Sequence, residues 1–291
     1  MKIFLIGSNS SAGHAFIRAA ERRDHELFQF PRADKRATDE TLDLRDHDTL
    51  QQLCFKHWPD VIINCLETRN IANKKELVAL NVDLPKFLAQ ISHHLNTRLI
   101  HLSSNKLFDG SKGSLYQFSD KPNSTELFGH SKHQAEEAIL KYNPDALIIL
   151  RIPDLLGTSG AGGELSFNEA ILESAKSKRK IKLSDSLIEQ PTTSFNIAEI
   201  LLELSERQDL NGLFNWSGCQ AISQYALAKK ILENAGIEPA EAHLELLEPR
   251  PKTIIDLSME LQPLQRKVKT KALNLKEVFE ELNFIEPLKF S

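Results

Sequence analysis

Short apolar runs alternate with amphipathic stretches through the first half of this chain. KIFLI, ELFQF, DVIIN, RLIHLSS and ALIILR are compact, rich in β-branched or aromatic residues, and bounded by polar residues or glycine. They predict strands at Lys2 to Ile6, Glu26 to Phe30, Asp60 to Asn64, Arg98 to Ser103 and Ala146 to Arg151, with another at Gly212 to Trp216. The stretches between them predict helices near 13–23, 47–57, 72–94 and 129–142. Strands that alternate with helices in this way form a parallel sheet covered on both faces. RLIHLSS is almost continuously apolar, as a central strand should be, and its polar residues gather at its carboxyl end.

After Arg151 the pattern changes. GTSGAGGEL is a glycine-rich loop, and helices near 166–178, 221–235 and 272–283 follow without a regular strand partner. The expected organisation is a nucleotide-binding domain over 1–152, rejoined by 187–216, and a smaller lobe built from 153–186 and 217–291. The basic run KSKRKIK, Lys176 to Lys182, reads as a solvated helix end or as a contact for an anionic partner.

Composition narrows the function. In 291 residues, 36 Lys and Arg stand against 40 Asp and Glu, a net charge of −4, which gives no bulk attraction to nucleic acid. With 41% hydrophobic and 26% charged residues the chain reads as an ordinary globular protein. No apolar stretch approaches the roughly 20 residues of a membrane span, and the amino terminus turns polar after six residues, so a cytoplasmic protein is expected. Cys54, Cys65 and Cys219 are too widely spaced for a thiolate cluster and predict reduced thiols. No His, Asp or Glu grouping has metal-ligand spacing, and no metal is expected.

The first strand runs into GSNSSAGHAF and then a helix, a geometry in which backbone N–H groups meet a pyrophosphate. Gly7 permits the tight turn and Gly13 the close packing of helix on strand, whereas Ser10 stands where a glycine would bring the phosphate nearer. The hydroxyls of Ser10 and Ser11 can donate to a phosphate or cap the helix. After the second strand, Arg32, Lys35 and Arg36 take the place of an acid at the strand end, which favours NADP(H) over NAD(H) and leaves NAD(H) possible. Asp43 and Leu44, after what reads as another short strand, are candidates for the adenine end.

The motifs together resemble the extended short-chain dehydrogenase/reductases, specifically the dTDP-4-dehydrorhamnose reductase (RmlD-like) family, with similarity to the regulatory β subunit of methionine adenosyltransferase. The resemblance rests on Gly7 to Gly13, DVIINC at 60–65, Asn81 in LNVDLPKFLA, SSNKLFDG at 103–110, FGHSK at 128–132, LRIPDLLG at 150–157, QPTT at 190–193, FNWSG at 214–218 and PRPKTIIDLS at 249–258. It implies a Rossmann-type doubly wound α/β fold with a smaller C-terminal α/β substrate-binding lobe. It further implies NADP(H) as cofactor and hydride transfer to the ketone of a nucleotide sugar, by a Ser/Thr, a Tyr and a Lys. Ser104 matches the Ser/Thr and Lys132 the Lys, but Phe128 stands at the Tyr position. A positioned general acid contributes about 10²- to 10⁴-fold in rate, and a phenyl ring has no proton to give. His130, two residues away, points to another side of the helix, which leaves Tyr116 as the one tyrosine the resemblance places beside the substrate.

By the same resemblance Cys65, Asn81 and Pro153 join the cofactor site, although Asn81 and Pro153 could as well serve local capping and strand ending. Asn105, Gln190, Thr192 and Arg250 join Tyr116 on the substrate side, while Trp216 reads as packing. Asn105 and Lys106 stand where reductases of the family often carry Asp and Tyr. The expectation is an NADP(H)-binding protein impaired or inactive as a reductase, with a binding or regulatory role toward a nucleotide-sugar-like molecule or a partner enzyme, homodimeric in some relatives. The rival expectation is an active NADPH-dependent reductase of a nucleotide-linked 4-keto sugar or related carbonyl.

Overall fold

A computed structural model describes residues 1–32, 42–142, 144–238, 240–247 and 253–285. Six parallel strands form the central sheet: β1 (Lys2–Ile6), β2 (Glu26–Phe30), β3 (Val61–Asn64), β4 (Arg98–Ser104), β5 (Leu147–Ile152) and β6 (Gly212–Asn215). Their spatial order is β6-β5-β4-β3-β1-β2, so the order reverses beside β1 and opens a crevice between the carboxyl ends of β1 and β3.

Alternation along β1 divides the core. Ile3 and Leu5 face one side, with Phe16 of α1 (Ser11–Ala20) and Ile197 and Leu201 of a later helix. Phe4 and Ile6 face the other, with Leu50 of α2 (His47–His57), Leu84 and Leu88 of α3 (Leu84–Leu95) and Ile139 of α4 (Leu127–Ile139). The helix expected over 72–94 is interrupted: Lys74–Val78 is α-helical, Ala79–Asp83 forms a wider π turn, and α3 continues from Leu84. The π turn places Asn81 inward, fully buried. The short strand expected before Asp43 is not seen over residues 42–46, and 33–41 lie outside the described residues.

Helix α6 (Ser194–Glu206) was not expected from the sequence; α5 (Phe167–Lys176) precedes it. Nine of its residues are buried against α1 and the sheet, which leaves a narrow polar stripe at Glu199, Glu203 and Glu206. That spacing is helical, but such a wide apolar face reads as a buried strand when periodicity is sought over a short window. The helix starts on Thr193, whose hydroxyl accepts from the Asn196 amide at 2.9 Å. Arg98, at the foot of β4, is buried beyond its end and donates to the carbonyls of Leu204, Arg207 and Leu210. A second buried cation, Arg151 of β5, pairs with Glu136 of α4 at 2.7 Å.

The remaining chain builds a separate apolar cluster from α5, α7 (Gln224–Asn234) and α8 (Leu275–Ile285), around Ile171, Leu183, Ile231 and Val278. Short strands at Ile181–Leu183, Leu187–Glu189, Ile222–Ser223, Leu244–Leu246 and Ile255–Asp256 supply pairings that the sequence pattern did not show. At two or three residues each, they are too short to display alternation. Lys176 to Lys182 run from the exposed end of α5 into the first of these strands. Among the described residues no helix is long and apolar enough to cross a membrane.

The burial of α6 sets a stability test. Leu201 is fully buried, so Leu201→Ala is expected to destabilise the fold by about 2–5 kcal/mol in urea titration, whereas Leu165→Ala, at a side chain 60% exposed, stays within about 0.5 kcal/mol.

Candidate functional site

The turn after β1 is shaped by two close approaches. Gly7 has φ +78°, and a Cβ there would lie 2.7 Å from the Leu66 amide nitrogen. A Cβ on Gly13 would run into the Gly7 carbonyl, so only glycine lets α1 come this near the strand end. The Ser10 hydroxyl accepts from the Gly13 amide at 3.1 Å as the helix cap, the capping alternative among those expected for it. Ser11 and Ala12, in the first turn of α1, line an open cleft. Asn9 ties this turn to the end of β2, accepting from the Arg32 amide at 2.9 Å and donating to its carbonyl at 3.1 Å. A strand-turn-helix of this form, with a helix amino terminus opening on a cleft, fits the pyrophosphate of a dinucleotide.

The far wall of the cleft comes from the glycine-rich loop. The Gly160 amide donates to the Asn9 carbonyl at 3.1 Å, and Glu164 pairs with Arg32. Arg32 also meets Glu76 at 3.0 Å. Burial would lower its guanidinium, but the two carboxylates outweigh it and hold the charge firmly in place. Arg32 therefore lines the cleft as expected, already partnered. Lys35 and Arg36 lie outside the described residues.

The carboxyl ends of β3, β4 and β5 supply the floor. Lys132 projects from α4, is 1% exposed, donates to the Leu102 carbonyl at 2.8 Å and lies 3.4 Å from a Glu67 carboxylate oxygen. Burial draws its ammonium below the usual lysine range, against the pull of Glu67. From Glu67 a chain of ion pairs crosses the cleft: Glu67 to Arg69 at 2.9 Å, Arg69 to Asp154 at 2.7 Å, and Asp154 to Lys106. Burial alone would push the Asp154 carboxyl up, but Lys106 and Arg69 hold it well below the usual carboxylate range. Cys65 lines the same cleft, its thiol pushed up to about 12 by burial. Ser103, Ser104 and Pro153 complete this part of the wall, and the buried Ser103 hydroxyl has no partner among the described residues. The Ser104 hydroxyl accepts from the Lys106 amide at 3.2 Å.

Phe128 sits one helical turn before Lys132 and is 8% exposed. Arg69 covers it, its guanidinium carbon 5.3 Å from the ring centroid, so the group that reaches the cleft at this point is the arginine. Asn81 braces the arrangement: it accepts from the Thr68 amide at 2.9 Å, donates to the Thr68 carbonyl at 2.9 Å, and donates to the Ser131 hydroxyl at 3.1 Å. It positions the residues before Arg69 and Lys132 and does not line the cleft itself.

Several expected residues lie elsewhere. Asp43 turns onto Arg45 at 2.6 Å and Leu44 is buried in the core beside α2; neither lines the cleft. The Tyr116 hydroxyl donates to Asp109 at 3.1 Å, with its ring stacked on Phe108, so this tyrosine is not presented beside Phe128. Gln190 accepts from the Met259 amide and the Ser217 hydroxyl, and Thr192 bonds Asn196: both hold the interior together. Trp216 is buried, donating to Asn196 at 2.9 Å. Asn105 donates to Glu189 at 3.1 Å at a smaller pocket that Asp154 shares with the main cleft. Arg250 lies outside the described residues. Among the described residues no cluster of His, Cys, Asp and Glu could hold a metal ion.

Glu67, Arg69, Asp154, Glu164 and Glu189 were not foreseen. Glu67 and Arg69 follow directly after β3, and Asp154 directly follows Pro153, so position past a strand end was their only signal; partners distant in sequence gave none.

A family model described as "RmlD substrate binding domain" matches residues 1–272. The "probable low-salt glycan biosynthesis reductase Agl14" of Haloferax volcanii is 25% identical over 244 residues, covering 81% of this chain and 81% of that protein. Methionine adenosyltransferase 2 subunit beta of Bos taurus is 25% identical over 240 residues, covering 80% and 71%. Among solved structures, dTDP-4-dehydrorhamnose reductase of Bacillus anthracis in complex with NADP aligns with a TM-score of 0.83 at 18% identity, over 98% of this chain and 99% of that one.

Glu189 yields a pH test. Burial first, and then the Asp154 charge, push its carboxyl up to about 7. A carboxyl raised on folding stabilises the native state while protonated, and that contribution is lost as pH climbs from the ordinary glutamate value through about 7, at no more than about 1.4 kcal/mol per pH unit. Glu189→Gln should remove this loss, so the variant's thermal midpoint should exceed that of the natural protein by an amount that grows between about pH 4.5 and pH 7 and levels off above, with little difference at pH 4.5.

Proposed function

The chain belongs to the RmlD substrate binding domain family, and from that membership we propose that it binds a nicotinamide dinucleotide but is impaired as a reductase, acting in the cytoplasm in a binding or regulatory role. The observation that carries this reading is Phe128, covered by Arg69 at the position where the family keeps its acid. The turn from Gly7 to Gly13 and the amino terminus of α1 would take the pyrophosphate, and Lys132 the nicotinamide ribose hydroxyls. When bound, the dinucleotide supplies hydride chemistry; nothing at residue 128 supplies the accompanying proton.

NADP(H) is the preferred form in this reading, with NAD(H) second. Arg32 lines the adenosine end of the cleft, and a 2′-phosphate would replace Glu164 as its partner. The second cluster of helices would form the substrate lobe, toward a nucleotide-sugar-like molecule or a partner enzyme. An active reductase is the alternative, favoured by the retention of Ser104 on the cleft wall and of Lys132 buried behind Leu102 and Glu67, which line the cleft, with Ser104 or water as proton donor.

Calorimetric titration with NADPH and NADH tests binding: NADPH should bind more tightly, and Glu164→Gln should widen the difference. Turnover of NADPH with a dTDP-4-keto sugar tests chemistry. The natural protein is expected to run about 10²- to 10⁴-fold below Phe128→Tyr. Robust turnover without the tyrosine would overturn the impaired reading and leave the reductase.

A further inference from the structure

The ion-pair chain that crosses the cleft is unbalanced. Lys132, Arg69 and Lys106 are cations, while Glu67 and Asp154 are the carboxylates between them, so within this chain of pairs the cations outnumber the carboxylates by one. Glu189, beside Asp154, is neutral below about pH 7 and does not cancel the excess there. The donors are unbalanced too. Arg69 commits Nε to Glu67 and Nη2 to Glu67 and Asp154, and no described residue accepts from Nη1. Also on the wall of this cleft, the Ser103 hydroxyl is buried, 1% exposed, and has no partner among the described residues, a costly state for a buried polar group.

The guanidinium is also held still. Two carboxylates grip one edge and the Phe128 ring supports one face, so little side-chain freedom remains to be lost when a ligand arrives. Although its side chain is 43% exposed, Arg69 has already given up much of the freedom that an unpaired surface arginine would lose on binding. Phe128 brings no hydroxyl to compete for the free amine. The exchange that removes the family's acid thus supplies an apolar seat for a cation in its place.

We infer that Arg69, with the Ser103 hydroxyl, forms an oxyanion-binding site in this cleft, taking a carboxylate or phosphate oxygen of the ligand that the chain binds beside its dinucleotide. The site rests on the reading of the cleft as a dinucleotide site for its context, but not for its chemistry. Arg69 holds its proton throughout and acts as a donor and a charge; no proton is transferred.

Oxalate and inorganic phosphate serve as probes, each titrated calorimetrically into the full chain, with and without saturating NADPH. Side-chain nitrogen NMR follows the Arg69 Nε resonance. The natural protein should bind at least one probe and shift that resonance. Arg69→Met should weaken the binding about tenfold or more, the value of one charge-assisted hydrogen bond. Arg69→Lys should restore part of it, and Ser103→Ala should cost less than Arg69→Met. Unchanged thermal midpoints confirm that the variants fold. Whichever probe binds in an Arg69-dependent way identifies the oxygen group. Absence of binding by both probes, or equal binding by Arg69→Met, overturns the inference. Failure of NADPH to bind would overturn the dinucleotide reading alone, because the titrations without NADPH still read Arg69.

Discussion

How closely α1 approaches the end of β1 governs the rest of this molecule. The absent side chain of Gly13 lets the helix rest against the Gly7 carbonyl, and the absent side chain of Gly7 lets the turn rest against Leu66. With α1 drawn in, α6 can pack on it across one face of the sheet, and the first turn of α1 opens on the crevice beside β1. A methyl group at either glycine would push against backbone, and the cleft lining at Cys65 and Leu66 would move with it.

Above that lining, polar residues from four distant segments meet at the sheet's carboxyl edge. Glu67 and Arg69 come from the end of β3, Lys106 from beyond β4, Asp154 from beyond β5 and Lys132 from α4. A parallel sheet makes this possible because all its strands end on the same side. The buried Asn81 amide then fixes the relative position of two of those segments through Thr68 and Ser131. The π turn in the helix is what aims that amide inward, so a local irregularity of winding does architectural work.

The strands and the helices on their faces were legible because each carries its own periodicity. The glycine turn was legible through spacing, and Lys132 and Phe128 through the resemblance to the reductase family. Helix α6 was not, since burial on nearly every side erases the amphipathic signal, and the short strands of the second cluster were too brief to alternate. At the site, the sequence presented Phe128 as a subtraction. The arginine lying over it could not be foreseen, because its position depends on Glu67 and on Asp154, and Asp154 is far along the chain. Tyr116 shows the opposite failure: the right residue type in a neighbouring loop, with its hydroxyl committed to Asp109.

The glycine-rich loop reaches the nucleotide turn through the Gly160 hydrogen bond to Asn9 and the pairing of Glu164 with Arg32. The second of these is partly exposed, with side-chain accessibilities of 21% and 46%, so mobile ions can screen it over the roughly 8 Å Debye length of physiological salt. A hydrophobic clasp would not be screened in this way. This one loosens as ionic strength rises, which makes the openness of the cleft a property of the surrounding electrolyte as well as of the chain.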